Sequence, residues 1–133
     1  MAKNLLLTVI LLLSSPYLAF SQDKSDKVVD TKFVVVSSFL VSSTVFDIKS
    51  TYYFLDNCPK TRRCVEGNIL MKPFVDRGKP VLYAVQVGIN TGIISYAYYL
   101  KKHNNKLWWV VPVVFGASHT IAGTHNLKVA LSW

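Results

Sequence analysis

The sequence predicts an all-α fold, a membrane bundle of three transmembrane helices behind an N-terminal signal peptide. Three observations carry that expectation. The apolar runs 33–55, 80–100 and 107–127 are each long enough to cross a hydrocarbon core of about 30 Å at roughly 1.5 Å per residue. Aromatic residues gather at their ends (Tyr52, Tyr53, Tyr98, Tyr99, Trp108 and Trp109), as interfacial side chains do. The composition, 51% hydrophobic and only 17% charged over 133 residues, leaves too little charge to cover a small water-soluble domain.

Each element follows from its local pattern. Residues 1–21 read as an export signal, with Lys3 as the positive start, 5–13 as the apolar core, Pro16 as its break, and Ala19 and Ser21 as small residues before a cleavage point. Residues 22–32 alternate charge without an apolar face and read as a solvated linker. The membrane domain then covers 33–128. Its first run contains Asp47 and Lys49, whereas the second and third carry no formal charge when their histidines are neutral. Residues 56–79 form the one sizeable loop, and 101–106 (KKHNNK) form a tight turn that makes the second and third runs antiparallel neighbours.

The net charge of +8 does not point to nucleic acid, because the Lys and Arg residues fall between apolar runs and no nucleic-acid-binding motif is present. With residue 22 exported, the 56–79 loop and the C-terminus face the cytoplasm of a bacterial inner membrane. The basic residues leave that orientation to the signal, since seven Lys/Arg then lie inside and six outside. Cys58 and Cys64 consequently read as free thiols, because a cytoplasmic loop is a reducing place.

Helical spacing brings Gly88, Thr91, Gly92, Ser95 and Tyr99 to one face of the second run and Gln86, Asn90 and Ala97 to the other. Two faces unsuited to lipid predict that this helix packs between the other two, with a homo-oligomer through Gly88 and Gly92 as the competing use. In the third run, Pro112, Gly116, His119, Thr120, Gly123 and Asn126 share a stripe, a packing face with a histidine in its middle. His125 lies about 120° around from His119, so the two do not form the i, i+4 pair of a zinc helix.

Depth links the polar residues. Asp47 and His119 each precede the end of their run by eight residues, and the two runs are parallel, so both lie about 12 Å below one surface. Gln86 and Asn90 reach that level from the second run, Thr51 follows Asp47 by one turn, and Glu66 and Asn68 lie in the loop above. Asp47, Thr51, Glu66, Asn68, Gln86, Asn90 and His119 are therefore expected to form a polar cluster that offsets the cost of an acid at membrane depth. Three roles are open to it. A structural or accessory role needs only interhelical hydrogen bonds. A metal-assisted hydrolase would use Asp47, Glu66 and His119, with His125 as a fourth ligand for a divalent metal. A proton- or ion-conducting subunit would use the Asp47–His119 pair. No catalytic motif favours the second role, and no cofactor is expected.

The runs Asp47-x3-Thr51-x3-Leu55, Glu66-x-Asn68, Lys72-Pro73-Phe74 and His125-Asn126-Leu127-Lys128 resemble those of an uncharacterised family of small bacterial integral membrane proteins. That family carries an acid in its first span and a Glu-x-Asn-Pro in the following loop; Ile69 stands here in place of the proline. The resemblance covers roughly 33–128. It implies a three-helix membrane fold and recurring polar positions at Asp47, Thr51, Glu66 and Asn68, and it implies no activity.

Overall fold

The computed structural model describes residues 28–59, 64, 65, 67, 68 and 70–132. The expected signal at 1–21, most of the linker and Glu66 lie outside the described residues. Among the described residues all regular structure is helical: α1 (Thr31–Asp56), α2 (Lys72–Val75), α3 (Lys79–Lys102) and α4 (Val110–Ala130). At about 1.5 Å per residue the three long helices measure about 39, 36 and 31 Å. Among the described residues one helix, α1, is both long and apolar enough to cross a membrane.

Local chemistry sets the helix ends. Asp30 caps α1 by accepting the Phe33 N–H at 2.8 Å, and the Asn57 side chain closes its other end by donating to the Tyr53 carbonyl at 2.8 Å. Gly78 precedes α3 at φ +98°, a conformation that favours glycine, and Pro80 follows in the first turn, where its missing N–H is harmless. α4 begins at Val110, later than the expected 107. Asn105 Oδ1 accepts the Leu107 N–H at 2.8 Å, which holds the preceding residues in a turn and leaves Pro112 in the first turn of the helix.

α1 packs along its length against α4, whereas α3 meets each of them over fewer residues. The expectation that the 80–100 helix is the central one is therefore corrected; α1 is central. The reason lies in the spacing on α4. Pro112, Gly116, His119, Gly123 and Asn126 recur at intervals of four and three, the seam of a left-handed helix pair. Two glycines on that seam admit α1 closely: a Cβ on Gly116 would lie 2.6 Å from the Phe39 ring, and one on Gly123 would lie 2.6 Å from the Phe46 ring. Contacts of 39 with 116 and 46 with 123 make the two helices parallel. By contrast, among the described residues nothing lies within 4 Å of where a Cβ on Gly88 or Gly92 would be, so this pair does not join α3 to α1 or α4, one of the two uses expected of it. α3 instead buries its opposite face, Leu82, Gln86, Asn90 and Ala97.

The loop end carries a small apolar cluster of Ile48, Val75 and Leu82, bordered by Tyr52, Met71 and Phe74. Lys79 ties this end together, bonding to Asp56 at 3.2 Å and lying over the Tyr52 ring. At the turn end Lys101 bonds to Asp30 and lies over the Phe33 and Trp108 rings, 5.6 and 4.6 Å from their centres. One cation thus pins α1, α3 and the segment before α4.

Lys101, followed by the Phe33 N–H, holds the Asp30 carboxyl below its ordinary pKa of 3.8. A depressed folded-state pKa gives stability that is full above the unfolded pKa and is lost as pH falls through the folded one. Asp30→Asn keeps the cap but not the charge. Its melting temperature is expected to fall slightly at neutral pH and to converge with wild type in acid, with a small effect because Asp30 is 42% exposed.

The free-thiol reading of Cys58 and Cys64 is also corrected. The two sulfurs are bonded at 2.03 Å with Cα atoms 6.0 Å apart. The separation of six residues is enough for the chain to return on itself just beyond the α1 cap.

Candidate functional site

The polar residues of α1 meet partners on both neighbouring helices in successive turns. Deepest is Thr44, buried, whose hydroxyl accepts from Asn90 Nδ2 at 3.1 Å and donates to the Leu40 carbonyl at 2.9 Å. One turn on, Asp47 Oδ2 lies 2.7 Å from His119 Nδ1, with the two side chains 18% and 16% exposed. A further turn brings Thr51 to Asn126, whose Nδ2 donates to the Thr51 hydroxyl at 2.9 Å. Gln86, only 5% exposed, directs Nε2 to the Met71 sulfur at 3.5 Å, and its Oε1 is buried without a hydrogen-bond partner among the described residues.

This arrangement follows from periodicity. Residues 44, 47 and 51 are spaced by three and four on α1, and 119 and 126 are seven apart on α4, so parallel helices match them turn by turn. Ionised Asp47 can only accept, so Nδ1–H of His119 donates, which leaves Nε2 free to exchange a proton. An oriented imidazole of this kind is a general base or a relay in chemical terms, and an interhelical clamp in structural terms.

The expected cluster is divided rather than unified. Asp47 meets His119, and Gln86 lies near them, whereas Asn90 serves Thr44 one turn deeper. Thr51 pairs with Asn126, a residue that the sequence reading puts on the packing stripe and not opposite Thr51. Repeating the depth count one turn nearer the loop would have found that pair. Asn68 stands in the loop, its Oδ1 accepting the Leu70 N–H at 3.1 Å. Glu66 lies outside the described residues, and nothing is said of its place.

A cavity of about 530 Å³ opens beside the pair, bordered by Asp47 and Thr51 of α1, Gln86 of α3, Asn126 and His125 of α4, and Asn68 of the loop. Its other walls are apolar, including Ile48, Leu82 and Ile121. His125, itself exposed, stands at the edge of this space. Among the described residues no group of three or more His, Cys, Asp or Glu stands close enough to hold a metal ion. Of the three expected ligands among the described residues, Asp47 and His119 are in contact.

Compared with known proteins, the chain matches no family model, no curated protein and no solved structure.

Proposed function

We propose that this is an integral membrane protein whose three long helices cross the bilayer, with the Asp47–His119 pair and its neighbouring turns joining the helices in a structural or accessory role. The observation that carries this is an inverted distribution of side chains. Among the described residues the polar Ser37, Ser43, Thr44, Ser50, Thr51, Gln86 and Asn90 are buried in numbers that match the buried apolar side chains, while Val35, Tyr96, Val114, Phe115 and Ile121 are exposed. A domain folded by water would bury the second set first. Packing through glycine and serine with large apolar groups outside is how helices associate in lipid.

The hydroxyls support the same reading. Thr91, Ser118 and Thr124 are exposed, yet each donates to a carbonyl four residues back, at 2.8, 2.9 and 2.7 Å. Water offers such groups better partners, whereas in hydrocarbon the helix itself is the available acceptor. The partners on this reading are the lipid bilayer and, across the open Gly88–Gly92 face, a second copy of the chain.

The Cys58–Cys64 disulfide supports an orientation opposite to that expected from the leader. Disulfides persist in oxidising compartments, so the loop end faces outward and the turn between α3 and α4 faces the cytoplasm. On this reading residues 1–21 do not act as a cleaved leader, since export of residue 22 followed by one crossing through α1 would deliver Cys58 to the reducing side. In intact cells treated with an impermeant reductant, an impermeant maleimide is expected to label Cys58 and Cys64. Labelling that appears only after lysis contradicts the orientation. Retention of the chain in the membrane fraction at alkaline pH tests the proposal itself, and its release to the supernatant refutes it.

A further inference from the structure

The buried Oε1 of Gln86 is the anomaly of the site. A buried amide oxygen without a donor forfeits its hydration uncompensated, and each such group in a folded protein calls for an explanation. Gln86 is 5% exposed and lines the cavity beside Asp47, and rotation about its soft terminal torsion turns the amide oxygen toward that space.

The cavity has a definite chemical character. Asp47 is the one formally charged Asp, Glu, Lys or Arg among the described residues lining it, and His119 uses its Nδ1–H on that carboxylate without needing to carry a charge itself. Of the other polar groups lining it, Thr51 and Asn126 bond to each other, Asn68 bonds to the Leu70 N–H, Ser118 bonds to its own helix and His125 is exposed. The acceptors left to a ligand are the Asp47 carboxylate and the Gln86 amide oxygen, above apolar walls of Ile48, Leu82 and Ile121. A volume of about 530 Å³ falls within the range of small-molecule sites. A group that satisfies such a lining must donate hydrogen bonds, carry positive charge and trail an apolar body.

We propose that the cavity binds a primary ammonium group attached to a short apolar chain, with the ammonium donating to Gln86 Oε1 and the Asp47 carboxylate. The same chemistry is available from a free aliphatic amine and from an aminolipid headgroup. The site uses no property of the bilayer beyond the helix arrangement, so its failure and that of the membrane reading are separable: fractionation tests one and ligand binding the other.

The test uses the full chain in phosphatidylcholine nanodiscs, with binding of n-butylammonium followed by calorimetry. Saturable binding is expected, with n-butanol (a donor without charge) and tetramethylammonium (a charge without N–H) each at least tenfold weaker. Gln86→Met is expected to weaken n-butylammonium by at least tenfold while helix content is retained. Ile121→Trp fills the mouth from an exposed position and is expected to abolish binding, which keeps the test decisive if Gln86→Met does not fold. Nanodiscs containing phosphatidylethanolamine separate the sources. Weaker apparent butylammonium affinity in them assigns the site to a lipid amine, and unchanged affinity assigns it to a free one. Absence of saturable binding, equal binding of either control compound, or unchanged binding in Ile121→Trp overturns the proposal.

Discussion

His119→Leu is expected to destabilise the folded chain by about 2–3 kcal/mol, because it strands the Asp47 carboxylate between α1 and α4 without its donor. Leaving a desolvated group without its hydrogen-bond partner costs about 1–3 kcal/mol, with a carboxylate toward the upper end, and the partial exposure of both side chains, 16% and 18%, keeps the figure from rising further. Asp47→Leu is expected to cost less, since the remaining imidazole can be neutral whereas the remaining carboxylate must be desolvated or protonated. The double replacement Asp47→Leu/His119→Leu is expected to recover most of the loss, as an apolar pair does when it replaces both partners of a hydrogen bond. Thermal unfolding in a non-ionic detergent, arranged as a double-mutant cycle, reads all three values. Additive losses would mean that the 2.7 Å contact contributes no coupling to the fold.

Gly116→Leu and Gly123→Leu have the second large effect. A Cβ at either position already lies 2.6 Å from a phenylalanine ring, and Ser43 Oγ and Ser50 Oγ stand 3.2 and 3.1 Å away on the same side. A leucine side chain is accommodated only if the Phe39 or Phe46 ring is driven outward or α1 and α4 part. Overpacking of this kind costs about 1–3 kcal/mol per site, and separating the helices also strains the Asp47–His119 contact between the two glycines. Gly88→Leu and Gly92→Leu are the internal control. With nothing among the described residues within 4 Å of either Cβ position, both are expected to leave the fold of a single copy intact or slightly stabilised, since leucine is the better helix former by somewhat under 1 kcal/mol, and to weaken only association with a second copy. Equal damage at both glycine pairs would contradict the assignment of α1 and α4 as the close-packed pair.

These two pairs of glycines show how much of the molecule is legible in its sequence. The helices are legible because long apolar runs bounded by Asp30, Gly78-Lys79-Pro80 and an asparagine-rich turn leave little else for the chain to do. The meeting of Asp47 and His119 is legible because parallel helices convert equal distance from a span's end into equal height. Which face of a helix meets which neighbour is not legible in the same way. Gly88-x3-Gly92 and Gly116-x6-Gly123 look alike as small-residue patterns, and only the large partners Phe39 and Phe46, distant in sequence, distinguish the used seam from the open one. The division of the cluster has a related cause. Asn90 and Gln86 lie on one face of α3 a single turn apart, so each reaches a different turn of its surroundings, Thr44 for one and Met71 for the other. The cysteines were misread for a different reason, since their state was inferred from compartment and compartment from the leader. The loop geometry that joins them carries information the leader does not.

If the three long helices cross a bilayer, the faces turned away from the polar seam meet lipid. Spin labels introduced singly at Val45 of α1, Tyr96 of α3 and Val114 of α4, all exposed positions, test it most directly in bilayer-reconstituted protein. Collision with dissolved oxygen is expected to be frequent at all three and collision with a polar nickel chelate rare, as in hydrocarbon. Ready access of the chelate to these positions would instead show them facing water, and the three-helix membrane account would fail.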